Sequence, residues 1–214
     1  METDTQQRLL DAAEALFAEQ GFAETSLRAI TARAQANLAA INYHFGSKDA
    51  LVRAVFSRRL RRLSEERLSR LAALNAGGQP VAVEAVLDAF IEPSLRLRRE
   101  GPHGERFTRL LGRAQIEGSE SLREFLRDCY APVLEQFQRT LGRILPRLRP
   151  EELRWRLHFT LGVLSFTYAG ARLPPVPFAV RVAGDEEWLL RQLIQFLAAG
   201  LRAPPLMERV ETAV

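Results

Sequence analysis

From Asp4 to Leu201 the apolar residues recur at three- and four-residue intervals, and no segment of useful length alternates apolar with polar as a half-buried strand does. That periodicity disfavours sheet architectures and leaves an all-α chain whose helices bury their stripes against one another. Residues 4–20 place Leu9, Leu10, Ala13, Leu16 and Phe17 on one side, with Thr3 or Asp4 to cap the start and Gly21 to stop the helix in a left-handed conformation. A short helix is expected from Ser26 to about Arg33, capped by Thr25 or Ser26. A second runs from Leu38 to His44, capped by Asn37, and a long one from Lys48 to about Leu74, capped by Ser47. After an Asn-Gly-Pro linker from Asn75 to Pro80, helices are expected near residues 80–99, 103–117, 119–145, 150–171 and 185–202, about nine in all. A loop from Leu173 to Gly184 separates the last two. Pro93 and Pro132 lie inside helical patterns and are expected to kink or interrupt them.

The lengths suggest a small head over residues 1–50 and a larger second unit over 51–204, linked by the 48–74 helix and followed by a tail over 205–214. Charge is unevenly spread along this plan. Residues 1–24 carry one basic and six acidic side chains, whereas residues 25–70 carry ten basic and three acidic, out of a net charge of +4 for the whole chain. A basic stretch of this kind is the footprint of a nucleic-acid face, although a solvated basic helix or a helix lying on anionic lipid reads the same way.

The final two helices are apolar on two faces. In 150–171, Leu153, Leu157, Leu161, Leu164 and Tyr168 form one stripe and Trp155, Phe159, Gly162, Phe166 and Ala169 another. In 185–202, Leu189, Leu193, Phe196 and Gly200 form one, and Leu190, Ile194, Leu197 and Leu201 the other. A helix with two apolar faces must be covered twice: wholly within one protomer, or by its own core and a partner subunit in a four-helix homodimer interface. Trp155, Phe159, Phe166, Leu189, Leu193, Phe196 and Leu197 are the candidates for that interface.

Between residues 26 and 44 the spacing is that of a helix-turn-helix, whose second helix enters the major groove of double-stranded DNA. Ala39 and Ala40 are small enough to let the backbone approach base edges, Leu38 beside them is a further DNA-binding candidate, and Asn42 can hydrogen-bond a base or a phosphate. Tyr43 and His44 suit phosphate contacts. Thr25, Ser26, Asn37 and Ser47 cap helix N-termini that can meet phosphates, with Arg28 and Lys48 adding charge. By spacing alone an ordinary helical hairpin with Tyr43 and Phe45 in its core remains equally possible. The residues themselves decide more. Thr25-Ser26-Leu27-Arg28-Ala29-Ile30 and Ala34 through Leu51, with Leu16-Phe17 and Gly21-Phe22 upstream, closely resemble the DNA-binding signature of the TetR family. One departure is Gln35-Ala36, where that family usually has Gly-Val; Gln in a left-handed turn carries strain.

The resemblance implies a cytoplasmic homodimeric repressor with a helical ligand-binding and dimerisation unit, released from a palindromic operator when a small ligand tilts the linking helix. The run from Asn37 to Lys48, and Trp155 through Gly162, are similar to the PsrA-like, fatty-acid-responsive subgroup, implying a long-chain fatty acid or acyl-CoA as effector. Phe90, Phe107, Leu110, Leu111, Phe125, Phe137, Phe159 and Phe166 are candidates to line an apolar tunnel, with Arg109 or Arg113 to meet a carboxylate; each aromatic also reads as plain core. No cofactor or metal is expected. The three histidines and single cysteine form no metal-ligand spacing, and no phosphate-binding glycine loop or nucleophile motif is present, so no enzyme activity is expected. No apolar run reaches the roughly 20 residues of a membrane span, so no membrane insertion is expected. The N-terminus lacks a secretory pattern, and Cys129 can form no internal disulfide, which fits a reducing cytoplasm.

Overall fold

The computed structural model describes residues 2–169 and 186–205, and among these it forms nine helices and no strands. They are α1 (Glu2–Gln20), α2 (Leu27–Arg33), α3 (Leu38–His44), α4 (Lys48–Ala76), α5 (Val83–Arg99), α6 (Pro102–Glu117), α7 (Glu120–Ile144), α8 (Pro150–Ala169) and α9 (Glu186–Arg202). The expected 173–184 loop and the end of the tail lie outside the described residues.

Local chemistry sets the starts of these helices. Ser26 Oγ accepts from the Ala29 amide at 3.1 Å, Asn37 Oδ1 from Ala40 at 2.8 Å, Ser47 Oγ from Ala50 at 3.1 Å and Ser119 Oγ from Leu122 at 3.2 Å. Each such bond satisfies a backbone donor the helix cannot, contributing about 1 kcal/mol. Thr25 has a different job: it is fully buried, and its hydroxyl donates to the Gly21 carbonyl at 2.7 Å, closing the turn after α1. The interruptions expected at Pro93 and Pro132 do not occur, and α5 and α7 run straight through them. A proline removes one backbone bond, and on α5 the buried residues on both sides of Pro93 hold the helix against that loss.

Two apolar clusters fill the interior. The first joins α1, α2, α3 and the first half of α4 to Phe107, Leu110, Leu111 and Ala114 of α6 and Leu122 and Leu126 of α7. The core is therefore continuous across residue 50, and the head rests on a platform built by the body. The second cluster packs Leu71 of α4 with Leu87, Phe90 and Ile91 of α5, Val133 and Phe137 of α7, and the inward stripes of α8 and α9. At about 1.5 Å per residue, the 29 residues of α4 span about 43 Å and contribute to both clusters.

The uneven charge of the first seventy residues has an internal use. Glu14 of α1, fully buried, pairs with Arg58 and with Arg59 (3.3 Å), while Asp11 takes Arg58 at 2.6 Å. Burial disfavours the Arg58 cation, but hydrogen bonds and charge from Asp11 and Glu14 outweigh it and hold its pKa above the ordinary value. Farther along, Arg70 reaches Glu66, Asp88 and Glu92, and Arg96 pairs with Glu66. Much of the basic excess on α4 thus ties helices together and does not face outward.

Gly21 marks the other seam between head and body. Its φ is +96°, and a side-chain carbon there would stand 2.5 Å from Arg113 Nη2. Arg113 is pinned by Glu117 at 2.7 Å and donates to the Ala18 carbonyl at 3.3 Å. Gly21→Ala is expected to cost at least about 1–2 kcal/mol, from backbone strain plus displacement of that arginine. Chemical denaturation of the variant checks this, and an unchanged midpoint would contradict it.

Candidate nucleic-acid interface

Ile30 of α2 and Ile41 of α3 are completely buried, and they fix the two short helices on α1 and α4. With Ile41 inward, the opposite side of α3 is presented to solvent. Leu38, Ala39, Asn42 and Tyr43 are exposed along it, Tyr43 by 74%, while Ala40 and His44 are half-buried at its margin. Positions i, i+1, i+4 and i+5 share one face of a helix, so these four form a continuous ridge of small, amide and phenol side chains. Tyr43 and His44 meet edge-on with ring centres 5.0 Å apart, which props the phenol.

The flanks of this ridge carry donors. Ser26 and Arg28 are exposed at the start of α2, and Ser47 is exposed at the start of α4. Lys48 is half-buried, its ammonium 3.5 Å from the Ala23 carbonyl. Asn37 and Ser47 use their side-chain oxygens as acceptors in capping, so the Asn37 Nδ2 and Ser47 hydroxyl hydrogens, with oriented backbone N–H groups, are what they can donate to a phosphate. Thr25, buried under the turn, offers no side-chain contact to the surface.

The turn between α2 and α3 holds the strain foreseen for it. Gln35 has φ +50°, the one non-glycine residue with positive φ among the described residues. Arg8 of α1 braces it, donating Nη1 to the Ala34 carbonyl at 3.1 Å and to the Gln35 carbonyl at 3.4 Å. Nothing in the turn's own residues pointed to that brace, because Arg8 lies 26 residues upstream of Ala34. Gln35→Gly is expected to raise stability by about 0.5–1 kcal/mol, the strain relieved exceeding the entropy glycine adds to the unfolded chain. Thermal melts of the pair test the sign, and a lower midpoint for the glycine variant would contradict it.

The remaining candidates scatter. Phe107, Leu110 and Leu111 are buried in the first cluster, and Phe90 and Phe137 stack at 4.7 Å in the second. Phe125 is half-buried, whereas Phe159 and Phe166 point out to solvent. These eight do not line a common tunnel; most are spent filling the spaces between helices. Arg109 pairs with Glu105 at 2.8 Å and Arg113 with Glu117, so neither is a spare cation.

On α8 the two apolar stripes separate, apart from Ala169, which is buried, whereas on α9 leucines of both stripes turn inward. Leu189, Leu193 and Leu197 face the protomer's own core and are corrected from the outer face to the inner one. Trp155, Phe159, Phe166 and Phe196 remain exposed, joined by Trp188, which the sequence stripes had omitted. Among the described residues no group of three or more His, Cys, Asp or Glu is placed to hold a metal ion, and no helix is long and apolar enough to cross a membrane. Burial, then the charge of Asp128, pushes the half-buried Cys129 thiol up, away from the reactive thiolate.

Comparison with known proteins agrees with this arrangement over both halves. Residues 9–55 match the family described as bacterial regulatory proteins, tetR family, and residues 88–200, more than half of the chain, match the tetracyclin repressor-like C-terminal domain. The chain belongs to the TetR family. Among curated relatives, the HTH-type transcriptional repressor Rv3405c of Mycobacterium tuberculosis is 53% identical over 47 residues, 22% of this chain and 25% of that protein. The match thus spans about a quarter of the curated relative's length. The fatty acid degradation regulator FadR from Bacillus halodurans superposes with a TM-score of 0.66 at 18% identity, covering 92% of this chain and 96% of that one. HlyIIR, a hemolysin II transcriptional regulator, gives a TM-score of 0.62 at 18% identity over 93% and 97%. At these identities the structural neighbours share the TetR fold, and the fold alone.

Proposed function

We propose that this TetR-family chain is a homodimeric, cytoplasmic repressor whose two heads read a two-fold operator in double-stranded DNA and which a small apolar effector releases. The observation that carries the reading is the α3 ridge of Leu38, Ala39, Asn42 and Tyr43, exposed beside helix starts whose amides and Lys48 can engage phosphates. Small residues let that helix sink into the major groove, and the flanking donors fix its register on the backbone.

A second copy is the occupant that best suits the outer faces of α8 and α9. Five large aromatics stand exposed there, and Gly162 and Gly200 lie among them with open space where a side chain would be. Glycine inside an exposed helix costs about 1 kcal/mol against alanine, a cost offset where another backbone approaches closely. Reading two half-sites one turn of DNA apart requires the pairing to hold the two α3 helices about 34–36 Å from each other. For the effector, the resemblance of residues 37–48 and 155–162 to fatty-acid-responsive regulators favours a long-chain fatty acid or acyl-CoA.

Tyr43→Ala and Lys48→Ala are each expected to weaken binding to the DNA beside the protein's own gene by about tenfold or more, with the dimer intact by sedimentation. Lys48→Ala is expected also to flatten the salt dependence of binding, since a phosphate contact is lost from each protomer. Two variants that bind as the parent does would refute the head assignment.

A further inference from the structure

Arg67 sits in the second half of α4 with only 2% of its surface exposed, inside the body. Its Nε donates to the Phe90 carbonyl at 2.8 Å, and Nη2 donates to Ser94 Oγ at 2.6 Å. Nη1 is buried and makes no hydrogen bond. The guanidinium lies over the Phe90 ring at 4.2 Å and 5.7 Å from the Tyr130 ring. Among the described residues it forms no ion pair. The nearby carboxylates Glu66 and Glu92 are engaged by Arg70 and Arg96. Arg98, the other cation close to this cluster, is taken by Glu186 of α9 at 3.4 Å.

Across from it, on α8, the Tyr168 hydroxyl is also buried without a hydrogen bond. Burial pushes its pKa up to about 12, while the charge of Arg67 and the neighbouring Ser94 pull the other way, which sets the phenol against the same cluster. Neither Tyr168 Oη nor Arg67 Nη1 has a partner in good hydrogen-bond geometry, although the Ser94 hydroxyl lies beside the first and the Tyr130 phenol beside the guanidinium. A lysine in such a place could shed its proton, but a guanidinium keeps its charge, so the body holds a cation with no counter-ion. An uncompensated buried charge is among the costliest features a core can keep.

We infer that Arg67, with Ser94 and Tyr168, is the anchor for the carboxylate of an apolar effector, a site that deepens the proposed effector-released repressor and rests on it. A carboxylate brings one negative charge and two acceptor oxygens, which match one guanidinium and one phenol. A phosphate dianion would leave a charge unbalanced in surroundings made by Phe90, Phe137 and Leu71. One helical turn toward the head, a cleft of about 360 Å³ opens between α1, α4, α5 and α6, lined by Leu63, Pro93 and Leu97 and by charged side chains such as Arg59, Arg62, Glu66 and Arg96. Arg67 does not line it, so an effector reaches the anchor only as α4 and α5 part. The site also has a route to the head. Arg67 fastens α4 to α5 through Phe90 and Ser94, and α4 begins at Lys48 beside the DNA-reading helix. A carboxylate that competes for Nη2 loosens that fastening and favours a state in which α4 sits differently, as release requires.

The test uses the full chain, dodecanoate and its methyl ester in calorimetry and thermal melts. The parent is expected to bind dodecanoate at least about fiftyfold more tightly than Arg67→Met does, and Tyr168→Phe is expected to lose about fivefold. The ester is expected to bind the parent no better than the acid binds Arg67→Met. Without ligand, Arg67→Met is expected to melt no lower than the parent, because an unpaired buried cation has been replaced by an apolar side chain of similar length. Acid and ester binding the parent alike would overturn the anchor, a result that needs no variant to fold. So would undiminished dodecanoate binding by folded Arg67→Met, or no binding by the parent of any straight-chain acid from eight to eighteen carbons. Operator binding by the same preparation is read separately, and its loss would sink the repressor reading instead.

Discussion

Phe159→Glu combined with Phe196→Glu is expected to yield a folded monomer whose operator affinity has fallen by at least about a hundredfold. Phe159 and Phe196 are exposed by 60% and 66% in the isolated protomer, so acidic side chains there disturb none of its core. In a two-fold dimer each charge would be buried against its neighbours and repeated by symmetry, at a cost of several kcal/mol to association. One head then contacts half a site, and the advantage of tethering two heads is lost. Sedimentation and a shift assay on the same sample check both parts. A double variant that stays dimeric would move the interface elsewhere, and a monomer with parental affinity would uncouple dimerisation from DNA binding.

Glu14→Ala is expected to destabilise the protein by about 3 kcal/mol, a large effect for one residue outside the apolar core. Glu14 is the shared counter-ion of Arg58 and Arg59, and His103 of α6 lies 3.7 Å from its other oxygen. Removing it leaves two arginines, 18% and 26% exposed at the side chain, facing an emptied site between α1 and α4. Their partial exposure keeps the expected loss at the lower end for a broken buried pair. Urea denaturation gives the number, and a loss under about 1 kcal/mol would mean the arginines find water or Asp11 without cost.

The contrast between Glu14 and the helix caps explains what could be read in the sequence. Ser26, Asn37 and Ser47 announce their helices because the bonds they make reach only three residues along the chain. The strain at Gln35 was legible from the resemblance, since Gln35 stands where the TetR family usually has glycine. Pro93 and Pro132 do not interrupt their helices, because the loss at a proline is local whereas the packing that offsets it comes from other helices. Periodicity showed that α8 and α9 have two apolar faces, but it could not say which faces inward, so Leu189, Leu193 and Leu197 were assigned outward and Trp188 was overlooked. Arginines are the least legible of all. Arg109 and Arg113 carry the same charge as Arg67, and only tertiary contacts determine that the first two have carboxylate partners and the third has none.

The reading of the head is tested most directly by titrating the protein into the DNA beside its own gene and into random DNA of equal length, at low and at moderate salt. The account predicts a discrete complex of one dimer per two-fold site, at least about a thousandfold tighter than on random DNA and weakening steeply as salt rises. Equal affinity for the two DNAs, or no complex at low salt, would contradict it.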